Sequence, residues 1–555
     1  MNKSSMNIAE FIVSCLEAEG VEYVFGIPGE ENIKLIRAIH ASDKIRFILT
    51  RHEQGASFMA DIYGRLTGKA GVCTATLGPG AINLLLGVAD AQTDSTPLVA
   101  LSAQVGLNRI YKESHQIIDL VAMFKPVTKW ADTILTPNAV PEMVRKAFHI
   151  AQSERPGATY LAIPQDIEGV AMPTGITPLA TPCRTDKTHP DQTCIQDAVR
   201  LLKDAKRPVM LVGHGVVRSG STDAVRAFVE RHQIPVATTF MAKGAISDQS
   251  PSAMGVVGFM LHDYENFAFD QADVILSMGY ELQEFAPSRI NPDGKKIIIH
   301  VNTFDNDIDG SFNPSVNIVA DIGHTADAIS ASLGSTVLSG LSSHVRIRDL
   351  LDREREKGRD DTAFPPSPQR LVACIREVLS PTDIVLADTG AIKMWMARLY
   401  PTYEPLTCLT SNGLSTMSFA LPGAIGAKLA TPSRKILAVM GDGSFLMNSQ
   451  EIETAVRENI DLKVMVWVDG SYGLIKWKMD IEEGAHDSVD FGNPDFVTYA
   501  ESFGAKGYRI TQASDVLPTL QTALSEPGVC IVACPVDYQH NMALIKQLGE
   551  LTISL

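Results

Sequence analysis

The chain has 555 residues, with 48 Lys and Arg against 64 Asp and Glu, a formal net charge of −16 at pH 7 and a pI near 5.3. Such a field repels nucleic acid and anionic membrane surfaces, so neither is expected as a partner. The mixture of 45% hydrophobic and 20% charged residues with 41 Gly and 30 Pro excludes a disordered, collagenous or coiled-coil chain, and the length leaves room for about three or four domains.

The N-terminal stretch MNKSSMNIAEFIVSCLEAEG sets acidic residues among its apolar ones, which spoils a signal-peptide pattern, and no apolar run approaches the ~18 residues of a membrane span. Eight cysteines (Cys15, Cys73, Cys183, Cys194, Cys374, Cys408, Cys530 and Cys534) include no C-x-x-C pair, so neither a zinc site nor a disulfide framework is expected and the cytoplasm is the simplest compartment. From Val21 to Pro164 the runs VEYVFGI, IRFILT, GVCTAT, PLVALSA and ATYLAIP alternate with amphipathic stretches. That alternation predicts a parallel α/β sheet whose ligand loops lie at the carboxyl ends of the strands. A Pro- and Thr-rich stretch, MPTGITPLATPCRTDKTHPD (172–191), lacks either periodicity and reads as a linker. Beyond it RPVMLVGHGVV, IPVATTF, ADVILSMGY and KKIIIHVN predict a second α/β domain. The charged helix HVRIRDLLDREREKGRDD and the breaker AFPPSPQR precede a third series: TDIVLAD, RKILAVMGD, LKVMVWVD, AKGYRI and VCIVACP. The expected fold class is α/β, with three doubly wound parallel sheets in domains spanning 1–175, 190–335 and 365–545.

In the third series Gly441-Asp442-Gly443 falls between a strand and a helix, a position that suits a diphosphate and its metal. The glycines permit a tight turn, the helix start supplies free N–H groups and Asp442 offers a hard oxygen for Mg²⁺. The next strand ends at Asp469, and 469 − 442 = 27 residues is about one helix plus one strand, which returns Asp469 to the same sheet edge. In the first series Glu53 closes the strand IRFILT and opens an apolar helix, where its carboxyl group is drawn out of water.

GDG followed one helix and one strand later by Asp resembles the signature of the thiamine-diphosphate enzymes, and the resemblance extends over essentially the whole chain. It implies a pyrimidine-binding domain (1–175), a central domain (190–335) and a diphosphate-binding domain (365–545). It further implies that Asp442, Asp469 and the carbonyl of Ser471 hold Mg²⁺, with Val468-Asp469 in place of the usual Asn-Asn pair. Gly441, Gly443, Ser444, Tyr472, Gly473 and the run Gly390-Ala391-Ile392 are then cofactor-binding. Glu53 is implied to hydrogen-bond N1′ of the aminopyrimidine, beside loops carrying Gly29 and Thr76, Gly80 and Asn83. In SNGLSTM the Ser415 carbonyl and the Met417 amide are implied to grip the pyrimidine, and the Met417 side chain to wedge the cofactor into a V. Gln116 aligns with a glutamine facing the reacting carbon, so that Glu53, Gln116 and Gly29 are the implied catalytic residues. Leu474 and Lys478 occupy the acceptor-recognition stretch, where relatives often have Gln or Trp.

Within that family RHEQ, FKPVTK, TSNGLSTM, EIETAV, FGNPDFVTYAESFGAKG and CPVDYQHN resemble the catabolic, flavin-independent acetolactate synthases. The implied reaction decarboxylates pyruvate and joins the hydroxyethyl unit to a second pyruvate, giving 2-acetolactate and carbon dioxide. The sequence contains no His-His dipeptide, unlike the decarboxylases, which favours carboligation over aldehyde release. The alternative is a related acyloin synthase with pyruvate as donor and an aldehyde or ketone as acceptor. FAD is not expected, because Gly213-His214-Gly215-Val216-Val217-Arg218 lacks the third Gly of G-x-G-x-x-G. A homodimer or homotetramer with active sites at the subunit interface is implied.

Overall fold

Alternating strands and helices close into three wholly parallel sheets, each of six strands among the described residues. The computed structural model describes residues 6–179, 187–258, 262–338 and 343–550; Cys183 and the middle of the 172–191 linker lie outside the described residues.

The first sheet contains β1 (Tyr23–Gly26), β2 (Arg46–Leu49), β3 (Gly71–Ala75), β4 (Leu98–Gln104), β5 (Trp130–Thr133) and β6 (Ala158–Pro164), in the order β2-β1-β3-β4-β6-β5. The second contains β7 (Pro208–Val212), β8 (Val236–Thr238), β9 (Ala253–Val256), β10 (Val274–Met278), β11 (Ile297–Asn302) and β12 (Val316–Val319), in the order β12-β11-β10-β7-β8-β9. The third contains β13 (Ile384–Ala387), β14 (Cys408–Leu409), β15 (Ile436–Gly441), β16 (Lys463–Val468), β17 (Lys506–Arg509) and β18 (Cys530–Pro535), in the order β14-β13-β15-β16-β18-β17. The first and third sheets therefore share one strand order, while the second has the dinucleotide-fold order. Every expected strand is present. Four others, β5, β9, β12 and β14, escape the sequence pattern; all are edge strands of at most four residues and lack the continuous apolar run of a strand buried on both faces. The second half of RPVMLVGHGVV is a correction: the strand ends at Val212 and His214–Arg218 is helical.

Strand order fixes where the loops gather. In the first sheet the connections leave β1 and β3 in opposite directions, and in the third they leave β13 and β15 so; crevices at such switch points are where open α/β sheets bind ligands. The loops ending in Gly29 and Gly80 border the first, and those holding Gly390 and Asp442 border the second.

The first sheet, joined by residues 414–433 and 446–462, forms one compact unit, and the second and third sheets form another. In the latter one of the apolar cores runs from Ile275, Tyr264 and Phe285 through Leu371 and Trp395 to Trp467. In the former the Glu53–Thr67 helix is buried over most of its length and packs on the Ala420–Ala430 helix. A Cβ at Gly426 would lie 2.3 Å from the Met59 carbonyl oxygen, so the two backbones touch. The same helix buries Arg65, whose Nη2 lies 3.2 Å from Asp61 Oδ2 and 3.1 Å from Asp94 Oδ2. Arg65→Leu removes the positive charge set between two buried carboxylates, and a loss of about 3–5 kcal/mol is expected, to be read as a lower urea midpoint for the transition of this unit.

Candidate active site

Glu53 is the first residue of its helix, and the His52 side chain caps that helix by accepting from the Gln54 amide. The Glu53 side chain is buried. Asn83 Nδ2 donates to Glu53 Oε2 at 3.0 Å, while Oε1 has no hydrogen-bond donor among the described residues. A Cβ at Gly80 would lie 3.2 Å from that same Oε1, so the glycine keeps space beside it. One oxygen is thus fixed and the other is offered outward. The peptide before Glu53 is held as well: Glu451 Oε1 accepts from the Arg51 amide at 3.0 Å and the His52 amide at 2.9 Å. Burial pushes the Glu451 carboxyl up to about 7, against the opposing bonds from Thr454 and those two amides.

Around this carboxyl the loop residues take distinct places. Gly29 donates its amide to Asn32 Oδ1 at 2.7 Å, and a Cβ there would lie 2.2 Å from Thr76 Cβ, which excludes any larger residue. The Thr76 hydroxyl donates to Glu31 Oε2 at 2.7 Å. Gln116 is exposed in a turn at φ 57°, and its backbone lies against Gly78. Ser415 and Ser418 both have positive φ, 51° and 70°, and bracket the half-buried Met417. Left-handed backbone at two serines is costly and marks a segment held in shape by its surroundings. Thr416 Oγ1 anchors it by donating to Asp90 Oδ1 at 2.9 Å.

At the end of β15, Asp442 is fully buried. Its Oδ1 accepts from the Gly443 amide at 2.8 Å. Its Oδ2 accepts from the amides of Asp469 at 3.1 Å and Gly470 at 2.7 Å, and from Asn493 Nδ2 at 2.7 Å. The 27-residue spacing therefore returns Asp469 to Asp442, on adjacent strands β15 and β16. Burial first, and the neighbouring Asp442 second, push the Asp469 carboxyl up to about 7. Two carboxylates crowded in this way are relieved by a cation. Ser471 is buried and its hydroxyl donates to Asp490, which also pairs with Lys476 at 3.2 Å. Ser444 donates to Asp388, at the end of β13. Gly390 has φ 138°, a conformation that requires glycine, and hands the chain to the Ala391–Leu399 helix, where Ala391 and Ile392 are buried. The directions a Cβ would take at Gly390 and at Gly441 are open within 4 Å.

Tyr472 packs its ring 5.0 Å from that of Phe491, beside Gly443, and Gly473 starts the Gly473–Glu482 helix against Asp469. On that helix Leu474 is half-buried against the core. Lys478 is exposed, 3.7 Å from Glu482 Oε1.

In the second sheet, Gly213 and Gly215 pack on the backbone of Gly279 and Tyr280, and the Glu284 carboxylate accepts from the His214 amide at 3.1 Å. Burial and the neighbouring Glu281 push the Glu284 carboxyl up to about 8. A carboxyl raised on folding holds its proton longer in the native state. Its contribution is full below the ordinary carboxyl range and lost as pH rises through about 8. Glu284→Gln is expected to be increasingly more stable than the parent from pH 5 to pH 9, as thermal unfolding at a series of pH values would show.

Sequence reasoning does not assign Glu451, Asn493, or Asn83 as a partner of Glu53. The segments EIETAV and FGNPDF carry the first two, but their contacts lie far along the chain.

Three segments match thiamine pyrophosphate enzyme domains: residues 6–123 the N-terminal TPP-binding domain, 195–329 the central domain and 388–534 the C-terminal TPP-binding domain. The chain belongs to the thiamine pyrophosphate enzyme family. It is similar to the acetolactate synthase of Bacillus subtilis, 35% identical over 98% of this chain and 96% of that one. It is likewise similar to the catabolic acetolactate synthase of Raoultella terrigena, 34% identical over 97% of each chain, and to the acetolactate synthase isozyme 1 large subunit of Escherichia coli, 32% identical over 96% and 94%.

Proposed function

We propose that the protein is an acetolactate synthase that takes pyruvate as both donor and acceptor, holding thiamine diphosphate through Mg²⁺ and using no FAD. The observation that carries this reading is the buried Asp442, which gathers the amides of Asp469 and Gly470 and so sets two carboxylates at one sheet edge. Together with the Ser471 carbonyl they form a hard-oxygen set suited to Mg²⁺. Gly441, Gly443, Ser444, Tyr472, Gly473 and the Gly390-Ala391-Ile392 turn would line the diphosphate, and the open space at Gly390 and Gly441 leaves room for it.

When bound, thiamine diphosphate supplies a carbon nucleophile and the electron sink for the pair released with carbon dioxide. The chain's part is orientation and proton placement. Glu53, with Oε2 tied to Asn83, presents Oε1 to N1′ of the aminopyrimidine and exchanges a proton there. The Ser415 carbonyl, the Met417 amide and the Met417 side chain would hold the pyrimidine ring. Gly29, Thr76 and Gly80 shape the loops beside it. Gln116, Leu474 and Lys478 are the proposed substrate-side residues.

The absence of flavin is supported by the second sheet's switch point, where the Glu284 carboxylate already takes the amide at the helix start that a dinucleotide phosphate would use. A homodimer or homotetramer is proposed, with Glu53 of one copy serving the diphosphate loops of another. In support, the two sets of residues lie in separate compact units. Domain limits of 1–175, 190–335 and 365–545 and a cytoplasmic location complete the reading. The location is supported by seven free cysteines among the described residues.

Equimolar pyruvate and acetaldehyde offered together test the acceptor. Acetolactate as the main product is expected; acetoin formed by aldehyde addition as the main product would replace this reading with the acyloin-synthase one.

A further inference from the structure

A cavity of about 410 Å³ opens between the Ser343–Asp360 and Pro368–Val378 helices and the C-terminal end of the Ala391–Leu399 helix. Its size lies in the range of small-molecule sites. The Ala391–Leu399 helix spans about 13 Å, so Leu399 at the cavity and Gly390 at the cofactor loop mark its two ends. This is a separate place on the molecule.

Three arginines converge on the cavity in a chain whose net charge is −16. Arg355 is neutralised, with Asp248 and Asp352 each at 3.2 Å. Arg376 is not: among the described residues its guanidinium donates only to carbonyl oxygens, those of Pro401 at 3.2 Å, Ser380 at 2.7 Å and Leu379 at 2.5 Å, and lies over the Tyr400 and Tyr403 rings. Arg359 is exposed and has no side-chain ion pair among the described residues. Against these two positive charges the lining sets one carboxylate, the exposed Glu377. The walls are apolar, from Val372, Ala373, Leu399 and Pro401. Gln369 Oε1, also in the lining, is buried without a hydrogen-bond partner among the described residues. An acceptor left in that state costs free energy unless a donor reaches it.

We propose that this cavity binds an organic phosphate of nucleotide size. The phosphate lies on Arg359 and Arg376, the body lies on the apolar walls, and a hydroxyl or amine of that body donates to Gln369 Oε1. Arginine is the residue suited to a phosphate's paired oxygens, and the apolar walls with the single buried acceptor exclude a bare inorganic ion as the fitting occupant.

The test is equilibrium dialysis of AMP against the holoenzyme saturated with thiamine diphosphate and Mg²⁺, with ribose 5-phosphate and inorganic phosphate run in parallel. Saturable binding of AMP is expected, tighter than that of inorganic phosphate and unaffected by further thiamine diphosphate. Arg359→Glu, which removes a charged donor, and Ala373→Trp, which fills the cavity, are each expected to weaken it about tenfold or more. Thermal unfolding of both variants should match the parent, showing that they fold. Tighter binding of ribose 5-phosphate than of inorganic phosphate supports the same site with a smaller body. The proposal is overturned if AMP shows no saturation at millimolar concentration or binds both folded variants as tightly as the parent. It is equally overturned if thiamine diphosphate displaces AMP, which assigns AMP to the cofactor loops, or if inorganic phosphate binds as tightly as AMP.

Discussion

Glu53→Gln is expected to lower turnover of pyruvate by about 10²–10⁴-fold while thiamine diphosphate is still bound. The carboxyl group is buried, one oxygen is fixed by Asn83, and the other lies beside Gly80 with no protein donor among the described residues. Glutamine keeps the shape and can accept from Asn83, but it cannot exchange a proton with N1′. The loss therefore falls on proton transfer rather than on affinity. Exchange of the cofactor C2 proton with solvent should slow in parallel with turnover. Unchanged exchange in a folded variant that retains its cofactor would remove Glu53 from this role.

The second large effect is expected at Asp442. Its two oxygens collect four hydrogen bonds, three of them from the Asp469–Gly470 peptide segment and Asn493. Asp442→Asn removes the charge proposed to hold the metal and turns an NH₂ group toward donors, so the bonds that bring Asp469 beside it are lost together. Apparent affinity for thiamine diphosphate in the presence of Mg²⁺ should fall about a hundredfold or more, with Glu53 and its surroundings intact. Cofactor titration at several Mg²⁺ concentrations reads this directly. Parent-like affinity would show that the pair does not hold the ion.

Much of the fold and of the candidate site is legible in the amino-acid sequence, because the signals are local. A strand reads as a β-branched run, a glycine-flanked Asp at its end reads as a ligand loop, and 27 residues return the chain to the neighbouring strand. Glu53 is legible from its position between a strand and an apolar helix. What escapes depends on partners distant in sequence. The Asn83 bond to Glu53 requires two helices to pack, the Glu451 clamp on the 51–52 amides spans 400 residues, and Asn493 reaches Asp442 across 51. The four missed strands are edge strands of at most four residues, too short to carry the pattern on which strand recognition rests. Gln116 stands out through the family resemblance, but its turn at positive φ carries no sequence signal of the kind glycine gives. The arginine cavity arises from the pairing of two helices, and neither helix alone differs from an ordinary charged one.

Acetolactate synthesis is tested most directly by the balance of products from pyruvate with thiamine diphosphate and Mg²⁺ present and flavin omitted. Two pyruvates are expected to disappear for each acetolactate and each carbon dioxide formed. Carbon dioxide without acetolactate, or no turnover until an aldehyde is supplied, would contradict it.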